Sequence, residues 1–267
     1  MRTACPVLVL CLAGPVLLAA GGTASIPAEK RAVQLADIDH LRLAGVETAM
    51  LDVRAMDVYL EGHLPPARPL DVDRLADLVL VPSGPDTAGI LRLMERIPLR
   101  ASRPVLVYAA ATAERRDGYA AWLLSYAGFP RVEVIDGGFG AWYRRRNLGV
   151  FQGYPVPAGS SMLRPADLHP RPGIRVDPSA VDAELAAGAA VVEILPAGSA
   201  SPAAGTIRVD ELLDDKGFFL FPLPIEKLLS SRDIDPGARL ILRGPVHPAS
   251  FAWVGLVANG FDAALIH

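Results

Sequence analysis

The sequence predicts an α/β protein made of two successive units of similar plan. The first observation is a strand–helix–strand–helix order within residues 103–142, and the second is a similar order over residues 176–267. The third is the intervening stretch, residues 151–175, whose proline- and glycine-rich composition is typical of a linker. Buried apolar strands that alternate with helices favour a mainly parallel sheet flanked by helices in each unit.

Residues 1–24 have the features of a cleavable secretory signal peptide. Arg2 is their only charged residue, and the apolar run that follows is too short and too interrupted for a spanning helix. We expect cleavage before Ser25 and a periplasmic or secreted mature protein, with an uncleaved membrane anchor as the alternative. Cys5 and Cys11 both lie in this leader, so the mature chain would have neither a disulfide nor a thiolate.

Size and charge narrow the possible functions. A chain of 267 residues is long enough for two domains, and its net charge of −3 does not favour nucleic acid or an anionic membrane surface as a partner. The five histidines show no metal-ligand spacing. We therefore expect no metal and no other cofactor.

The first unit is expected to occupy residues 30–150. Apolar residues at Leu35 and Ile38 predict a short amphipathic helix that ends near Gly45, and Ile90 lies in a second stretch of helical spacing. The remaining predictions, in chain order, are a strand over residues 48–53, a turn at 82–85, a strand over 104–108, a helix over 118–126 and a strand over 131–135.

The stretch 109–117 lies between a predicted strand and a predicted helix. Open α/β sheets bind ligands at this place, because free backbone N–H groups and the helix dipole converge there. Arg115 and Arg116 are the basic residues of this loop. The stretch is therefore the first candidate site.

Residues 103–142 resemble the active-site half of a rhodanese (sulfurtransferase) domain. The matching motifs are Tyr108, Trp122-Leu123-Leu124, Asp136-Gly137-Gly138 and Trp142. In that family a cysteine follows the tyrosine and carries the sulfur. Ala109 stands in its place here.

A second rhodanese signature precedes this region. Asp52 and Arg54, followed by Tyr59-Leu60-Glu61-Gly62-His63-Leu64-Pro65-Pro66-Ala67, resemble the family pattern in order and spacing. An aspartate and an arginine two residues apart at a strand end point to the same side and can brace the next loop. The resemblance implies that Gly62 and His63 are structural rather than chemical.

Residues 176–267 resemble the second domain of a tandem rhodanese but keep fewer of its motifs. Glu193-Ile194-Leu195 replaces Asp-x-Arg, and Ala204-Gly205-Thr206-Ile207 lacks the histidine. Counted back from Ala249-Ser250, the place of the reactive cysteine falls on Arg243. The unit also lacks the final Trp-bearing helix, so we expect a degenerate domain that either closes without this helix or is truncated.

The residues at the two nucleophile positions determine the predicted chemistry. Sulfur transfer requires a thiolate that is both nucleophile and leaving group, and neither Ala109 nor Arg243 supplies one. A loop at a helix N-terminus still offers N–H groups to an anion. Arg115, Arg116, Arg243 and His247 are the candidate contacts, although Arg243 could instead point to solvent.

Three functions agree with the sequence. The first is a secreted, non-catalytic tandem rhodanese-like protein that binds a partner protein or a small sulfur or phosphorus oxyanion. The second is a sulfurtransferase-related enzyme of sulfur metabolism whose chemistry depends on a partner's cysteine. The third is a decayed copy without function, against which cooperative unfolding would argue.

Overall fold

The computed structural model describes residues 31–37, 49–110, 116–144, 149–153, 160–200 and 202–267. The leader predicted at residues 1–24 lies outside these ranges. In chain order the first half contains β1 (Gln34–Ala36), β2 (Ala49–Asp52), α1 (Met56–Glu61), β3 (Arg68–Pro69), α2 (Val72–Val79), α3 (Thr87–Leu93), β4 (Val105–Tyr108), α4 (Arg116–Tyr126), β5 (Val132–Ile135) and α5 (Gly138–Arg144).

The second half repeats this arrangement with shorter connections. It contains β6 (Arg175–Val176), α6 (Val181–Ala186), β7 (Ala190–Leu195), β8 (Thr206–Arg208), α7 (Pro222–Ser231), β9 (Leu240–Arg243), α8 (Val246–Ala258) and β10 (Ala263–Ile266). Single turns of 3₁₀ helix lie at Pro165–Asp167, Pro172–Ile174, Pro178–Ala180 and Val209–Leu212.

Both halves form a five-stranded parallel sheet with the same strand order. The orders are β1-β5-β4-β2-β3 and β6-β10-β9-β7-β8, which correspond strand for strand. This confirms the predicted α/β class with two sheets of one plan. Because every strand runs the same way, the carboxyl ends of all five strands lie at one edge of each sheet, where binding sites of such sheets form.

One expected helix is replaced in part by a strand. Gln34–Ala36 is β1, in which Leu35 pairs with Val134 of β5, so the prediction of helix was wrong for Leu35. A three-residue strand shows no period, and pairing with β5 determines its conformation. The rest of the predicted helix, from residue 38 to its expected end near Gly45, lies outside the described residues.

One large hydrophobic cluster spans the two halves. Leu51 and Trp122 of the first half and Leu242 and Trp253 of the second belong to the same buried cluster. Helices α4 and α8 pack directly against each other, and a Cβ added at Gly118 would lie 2.5 Å from the Cα of Phe251. Both helices are therefore buried on nearly all sides.

The segment with linker composition packs against the first half. The Arg171 guanidinium donates to the carbonyls of Ser125 and Phe129 at 2.9 and 2.8 Å, and the His169 amide donates to the carbonyl of Gly128 at 3.0 Å. No helix in the described part of the chain is long and apolar enough to span a membrane.

Candidate functional site

A buried hydrogen-bond network lies at the carboxyl end of β2. Tyr108 and Asp52 are paired across the β2–β4 ladder, and the Tyr108 hydroxyl donates to Asp52 Oδ2 at 2.6 Å. Arg54 Nη2 lies 2.6 Å from the same carboxylate oxygen and 2.7 Å from the carbonyl of Gly62. Arg54 thus links the strand end to the following loop.

Burial and the charge of Asp52 both affect the pKa values of Tyr108 and Arg54. Burial raises the pKa of Tyr108, and the charge of Asp52 raises it further, so the hydroxyl stays protonated and donates. Burial acts to lower the pKa of Arg54, but the hydrogen bond and charge of Asp52 raise it above its usual value. The guanidinium also lies 4.0 Å from the ring centroid of Phe139 in α5.

His63 is packed into the same loop. Its side chain is 4% exposed and stacks on Tyr59 with ring centroids 3.9 Å apart, and Nδ1 lies 3.1 Å from the Tyr59 carbonyl. The backbone of His63 pairs with that of Phe151. Burial lowers the pKa of His63, which favours the neutral ring. These contacts attach the loop to the segment after α5.

Ala109 lies directly after β4 and is 4% exposed. Its carbonyl accepts the amide of Phe139 at 2.9 Å. A Cβ at Gly138, where φ is +55°, would lie 2.6 Å from that carbonyl oxygen, so glycine is required there. The turn formed by Asp136, Gly137 and Gly138 therefore packs on the backbone of the predicted nucleophile position.

The two arginines of the first loop are placed differently. Arg115 belongs to residues 111–115, which lie outside the described residues. Arg116 begins α4, and its guanidinium lies 3.8 Å from the carboxylate of Asp73 in α2. That distance and the exposure of Asp73 make the pair weak.

Arg243 does not occupy the nucleophile position that counting assigned to it. The β7–β9 ladder pairs Glu193 with Arg243, just as the β2–β4 ladder pairs Asp52 with Tyr108. Arg243 thus corresponds to the tyrosine, and Gly244 corresponds to Ala109. The counting back from Ala249-Ser250 was wrong because only residues 244–245 separate β9 from α8.

The backbone after β9 leaves little room for a reactive group or an anion. A Cβ at Gly244 would lie 2.3 Å from the carbonyl oxygen of Ile194, so a side chain there requires a shift of the backbone. Pro245 and Pro248 have no N–H, which removes two donors at the start of α8. The second loop is therefore a poorer anion site than the sequence suggested.

The three described candidates for anion contact have different partners. Arg243 Nε donates to Glu193 Oε2 at 2.7 Å, with the arginine side chain 62% exposed. The His247 ring meets Tyr119 of α4 edge-on, with centroids 5.4 Å apart. Together with the Arg116–Asp73 pair, these contacts give each of the three candidates a different described partner.

Sequence reasoning missed a cleft between the two halves at the carboxyl edge of the first sheet. It has a volume of about 460 Å³, and its walls carry the carboxylates of Asp37, Asp136 and Asp214. Asp136 Oδ1 accepts the Phe219 amide at 3.1 Å. Burial raises the pKa of Asp136 to about 6, and the charges of Asp214 and Asp37 add to the rise.

One signal for this cleft was present in the sequence. Asp37 and Asp136 each follow a strand directly, and β1 and β5 are neighbours in the sheet. Strand order could not be read from the local pattern, so their proximity was not apparent. In the described part of the chain, no group of three or more His, Cys, Asp or Glu side chains could hold a metal ion.

Sequence comparisons agree with this architecture. Residues 37–145 match the family described as "Rhodanese-like domain". The protein of Mycobacterium tuberculosis named "Putative thiosulfate sulfurtransferase SseB" is 30% identical over 265 residues, which cover 87% of this chain and 90% of that protein. The chain belongs to the rhodanese-like family.

Solved structures of rhodanese-fold proteins superpose on both halves. SseA from Escherichia coli, described with 3-mercaptopyruvate sulfotransferases, aligns with a TM-score of 0.69 at 19% identity and covers 88% of this chain and 97% of its own. The Tum1 protein from Saccharomyces cerevisiae aligns with a TM-score of 0.66 at 16% identity, with coverages of 90% and 93%. At these identities the similarity establishes the tandem rhodanese fold alone.

Proposed function

We propose that this protein is a secreted, non-catalytic rhodanese-like module that binds a partner protein. The observation that carries the proposal is the buried Ala109 directly after β4, where the family resemblance places the sulfur-carrying cysteine. A methyl group can neither attack a sulfur donor nor hold a persulfide.

No cysteine of the predicted mature chain could replace the missing thiol. Cys5 and Cys11 are the only cysteines of the full sequence, and both lie in the predicted leader. Gly244 occupies the corresponding position of the second half, and the carbonyl of Ile194 fills the space that its side chain would need. The chemistry is therefore missing from both halves, for different structural reasons.

The framework around the lost site is intact. Asp52 is fully buried, with Tyr108 and Arg54 as hydrogen-bond donors, and Arg54 reaches the carbonyl of Gly62. A buried, fully paired network of this kind specifies one loop conformation. A decayed copy has no need of such a network, so its preservation favours a binding function over loss of function.

A partner protein is a better ligand for the module than a small oxyanion. Arg243 already pairs with Glu193, and Pro245 and Pro248 provide no N–H donors at the start of α8. An oxyanion at this loop would have to displace Glu193 and accept few hydrogen bonds. Oxyanion binding is the alternative result, which the anion series of the following experiment would detect.

The test uses mature protein that begins at Ser25. Thiocyanate formation from thiosulfate and cyanide should not exceed the blank, and turnover above the blank would overturn the proposal. Thiosulfate, sulfite, sulfate and phosphate should leave the thermal unfolding midpoint unchanged, because a ligand that binds the native state must raise it. A saturable rise with one anion would identify the module as an oxyanion-binding protein instead.

Secretion has its own test. The leader predicts that a C-terminally tagged protein accumulates outside the cytoplasm and begins at Ser25. N-terminal sequencing of the fractionated protein gives the result directly. Full-length protein in the membrane fraction would indicate an uncleaved anchor, and full-length protein in the cytoplasm would contradict secretion.

A second candidate function is sulfur transfer that depends on a partner's cysteine. The similarity to a protein named as a thiosulfate sulfurtransferase favours it. Thiocyanate formation would then appear only after periplasmic extract is added, and alkylation of the extract's thiols would abolish it. Activity that is insensitive to alkylation would exclude this function.

A further inference from the structure

We infer that the cleft between the two halves docks a partner-protein segment in which an arginine or lysine is flanked by apolar side chains. This inference rests on the proposed binding function and specifies its partner. The cleft is lined by Asp37, Asp136, Asp214, Phe218, Phe221 and Asn259, among others. We name it the Asp136 cleft after its most buried carboxylate.

The charge of the Asp136 cleft selects a cation. The carboxylates of Asp136 and Asp214 line it, and none of its described lining residues is basic. Two described guanidinium groups lie beside the lining. That of Arg144 lies over the Phe218 ring at 5.8 Å and donates to the carbonyl of Lys216 at 3.3 Å, and that of Arg31 donates to the carbonyl of Ala258, next to Asn259. The raised pKa of Asp136 reflects the burial of its carboxylate and the nearby acidic charges, which an incoming cation would offset.

Exposed apolar side chains beside the cleft favour a peptide segment over a small cation as its ligand. Phe221 is 80% exposed, and Leu223 in the first turn of α7 is also exposed. Large exposed apolar side chains beside a polar pocket are typical of protein interaction sites. A segment with apolar side chains next to a cation covers Phe221, whereas an isolated ammonium ion or metal leaves it in water.

The carboxylates also exclude other macromolecules as occupants. Nucleic acid and anionic membranes carry negative charge, which Asp136 and Asp214 repel. The lining has no group of carboxylates and imidazoles that could hold a metal ion, within the part of the chain that the structure describes. A cationic, partly apolar peptide satisfies both the charge and the exposed surface.

The loop that forms one wall is held in place from both halves. Asp214 Oδ1 accepts the amides of Lys216 and Phe218 at 2.9 Å each. Phe219 stacks on Phe251 of α8 with centroids 4.5 Å apart, and its amide donates to Asp136 in the first half. A wall that is already ordered loses little conformational entropy when a segment binds.

The experiment measures fluorescence anisotropy of labelled nonapeptides of glycine and serine with three variable central residues. The central triplets are Leu-Arg-Leu, Leu-Lys-Leu, Leu-Glu-Leu and Ser-Arg-Ser, tested against mature protein. We expect Leu-Arg-Leu and Leu-Lys-Leu to bind with dissociation constants on the order of 100 µM and at least about tenfold more tightly than the other two. Absence of binding by the basic triplets up to about 1 mM would overturn the inference.

Variants locate the binding site. The double variant Asp136→Asn/Asp214→Asn keeps side-chain oxygens that accept the backbone N–H groups but removes both negative charges. Phe221→Ser removes the exposed ring. Each variant should weaken peptide binding about fivefold or more. The matched controls Asp182→Asn and Leu185→Ser alter an exposed acid and a 44% exposed leucine in α6 and should bind as the parent does. Equal losses in cleft and control variants would overturn the inference. Thiocyanate turnover would instead overturn the proposed function.

Discussion

Arg243 pairs with Glu193 across the β7–β9 ladder at the position where Tyr108 pairs with Asp52 in the first sheet. The two pairs are equivalent in register but differ in environment. Asp52 and Tyr108 are fully buried, whereas Arg243 is mostly exposed. The second half thus retains a polar contact at this ladder position without the buried network, and the contact occupies the arginine that the sequence suggested for an anion.

Replacing Arg243 by alanine should therefore change little. An exposed ion pair contributes about 0–1 kcal/mol, so we expect Arg243→Ala to lower the free energy of unfolding by no more than that. Urea unfolding measures the effect, with Glu193→Gln as the matched variant. A loss of several kcal/mol, or loss of an anion-induced rise in the midpoint, would show that Arg243 does more than pair with its neighbour.

Ala109→Cys should place a thiol at the family's nucleophile position without making it reactive. The parent side chain is 4% exposed, and a buried thiol is poorly ionised and poorly accessible. We expect its reaction with an aromatic disulfide to be at least about tenfold slower than that of an exposed thiol, and to become fast in denaturant.

Ser230→Cys supplies the exposed control, because Ser230 lies on the surface of α7. Protein that begins at Ser25 has no other cysteine, so each variant reports on one thiol. Fast reaction of Ala109→Cys in the native state together with thiocyanate turnover would mean that the position is still shaped for catalysis.

The sequence predicted strands and buried helices more accurately than connections and contacts between halves. β4 and β9 are short apolar runs whose burial can be read from composition. The connection between β9 and α8 follows no local pattern, which is why the position of Arg243 was misassigned. Asp136 and Phe219 are 83 residues apart, and their contact depends on how the two halves pack. The sequence placed Asp37 and Asp136 directly after strands, but it could not show that the second half completes a cleft around them.

The Asp52 network should be a major source of stability in the first half. Asp52→Ala leaves the buried guanidinium of Arg54 without its carboxylate, which typically costs about 3–5 kcal/mol. Tyr108→Phe removes one hydrogen bond to the same carboxylate and should cost about 1–3 kcal/mol. Urea unfolding of both variants and of the double variant measures the coupling. Additive losses would contradict a shared network.

Asp136→Asn should stabilise the protein at neutral pH. The folded-state pKa is raised from 3.8 to about 6, so the protonated form is favoured by folding. The stabilisation that the protonated Asp136 carboxyl provides is complete below pH 4 and is lost as the pH rises through about 6. The amide keeps an acceptor for the Phe219 amide. We expect a gain of about 1–2 kcal/mol at pH 7.5 and little change at pH 4.

Urea unfolding at the two pH values measures this difference. Asp182→Asn in α6 is the control for loss of an exposed acidic charge, and its effect should be small at both pH values. Equal effects of Asp136→Asn at pH 4 and pH 7.5 would show that the carboxylate has an ordinary pKa.

The contact between α4 and α8 should tolerate no added atom at Gly118. Alanine has the higher helix propensity by about 1 kcal/mol, so Gly118→Ala would be stabilising in an isolated helix. Here its Cβ would lie 2.5 Å from the Cα of Phe251 and 2.6 Å from its amide nitrogen, which forces the helices apart. We expect a net loss of about 1–3 kcal/mol by urea unfolding, the usual cost of overpacking. Gly173→Ala, which meets nothing within 4 Å, should change stability little. A stabilising effect of Gly118→Ala would mean that the two halves pack less closely than the shared core indicates.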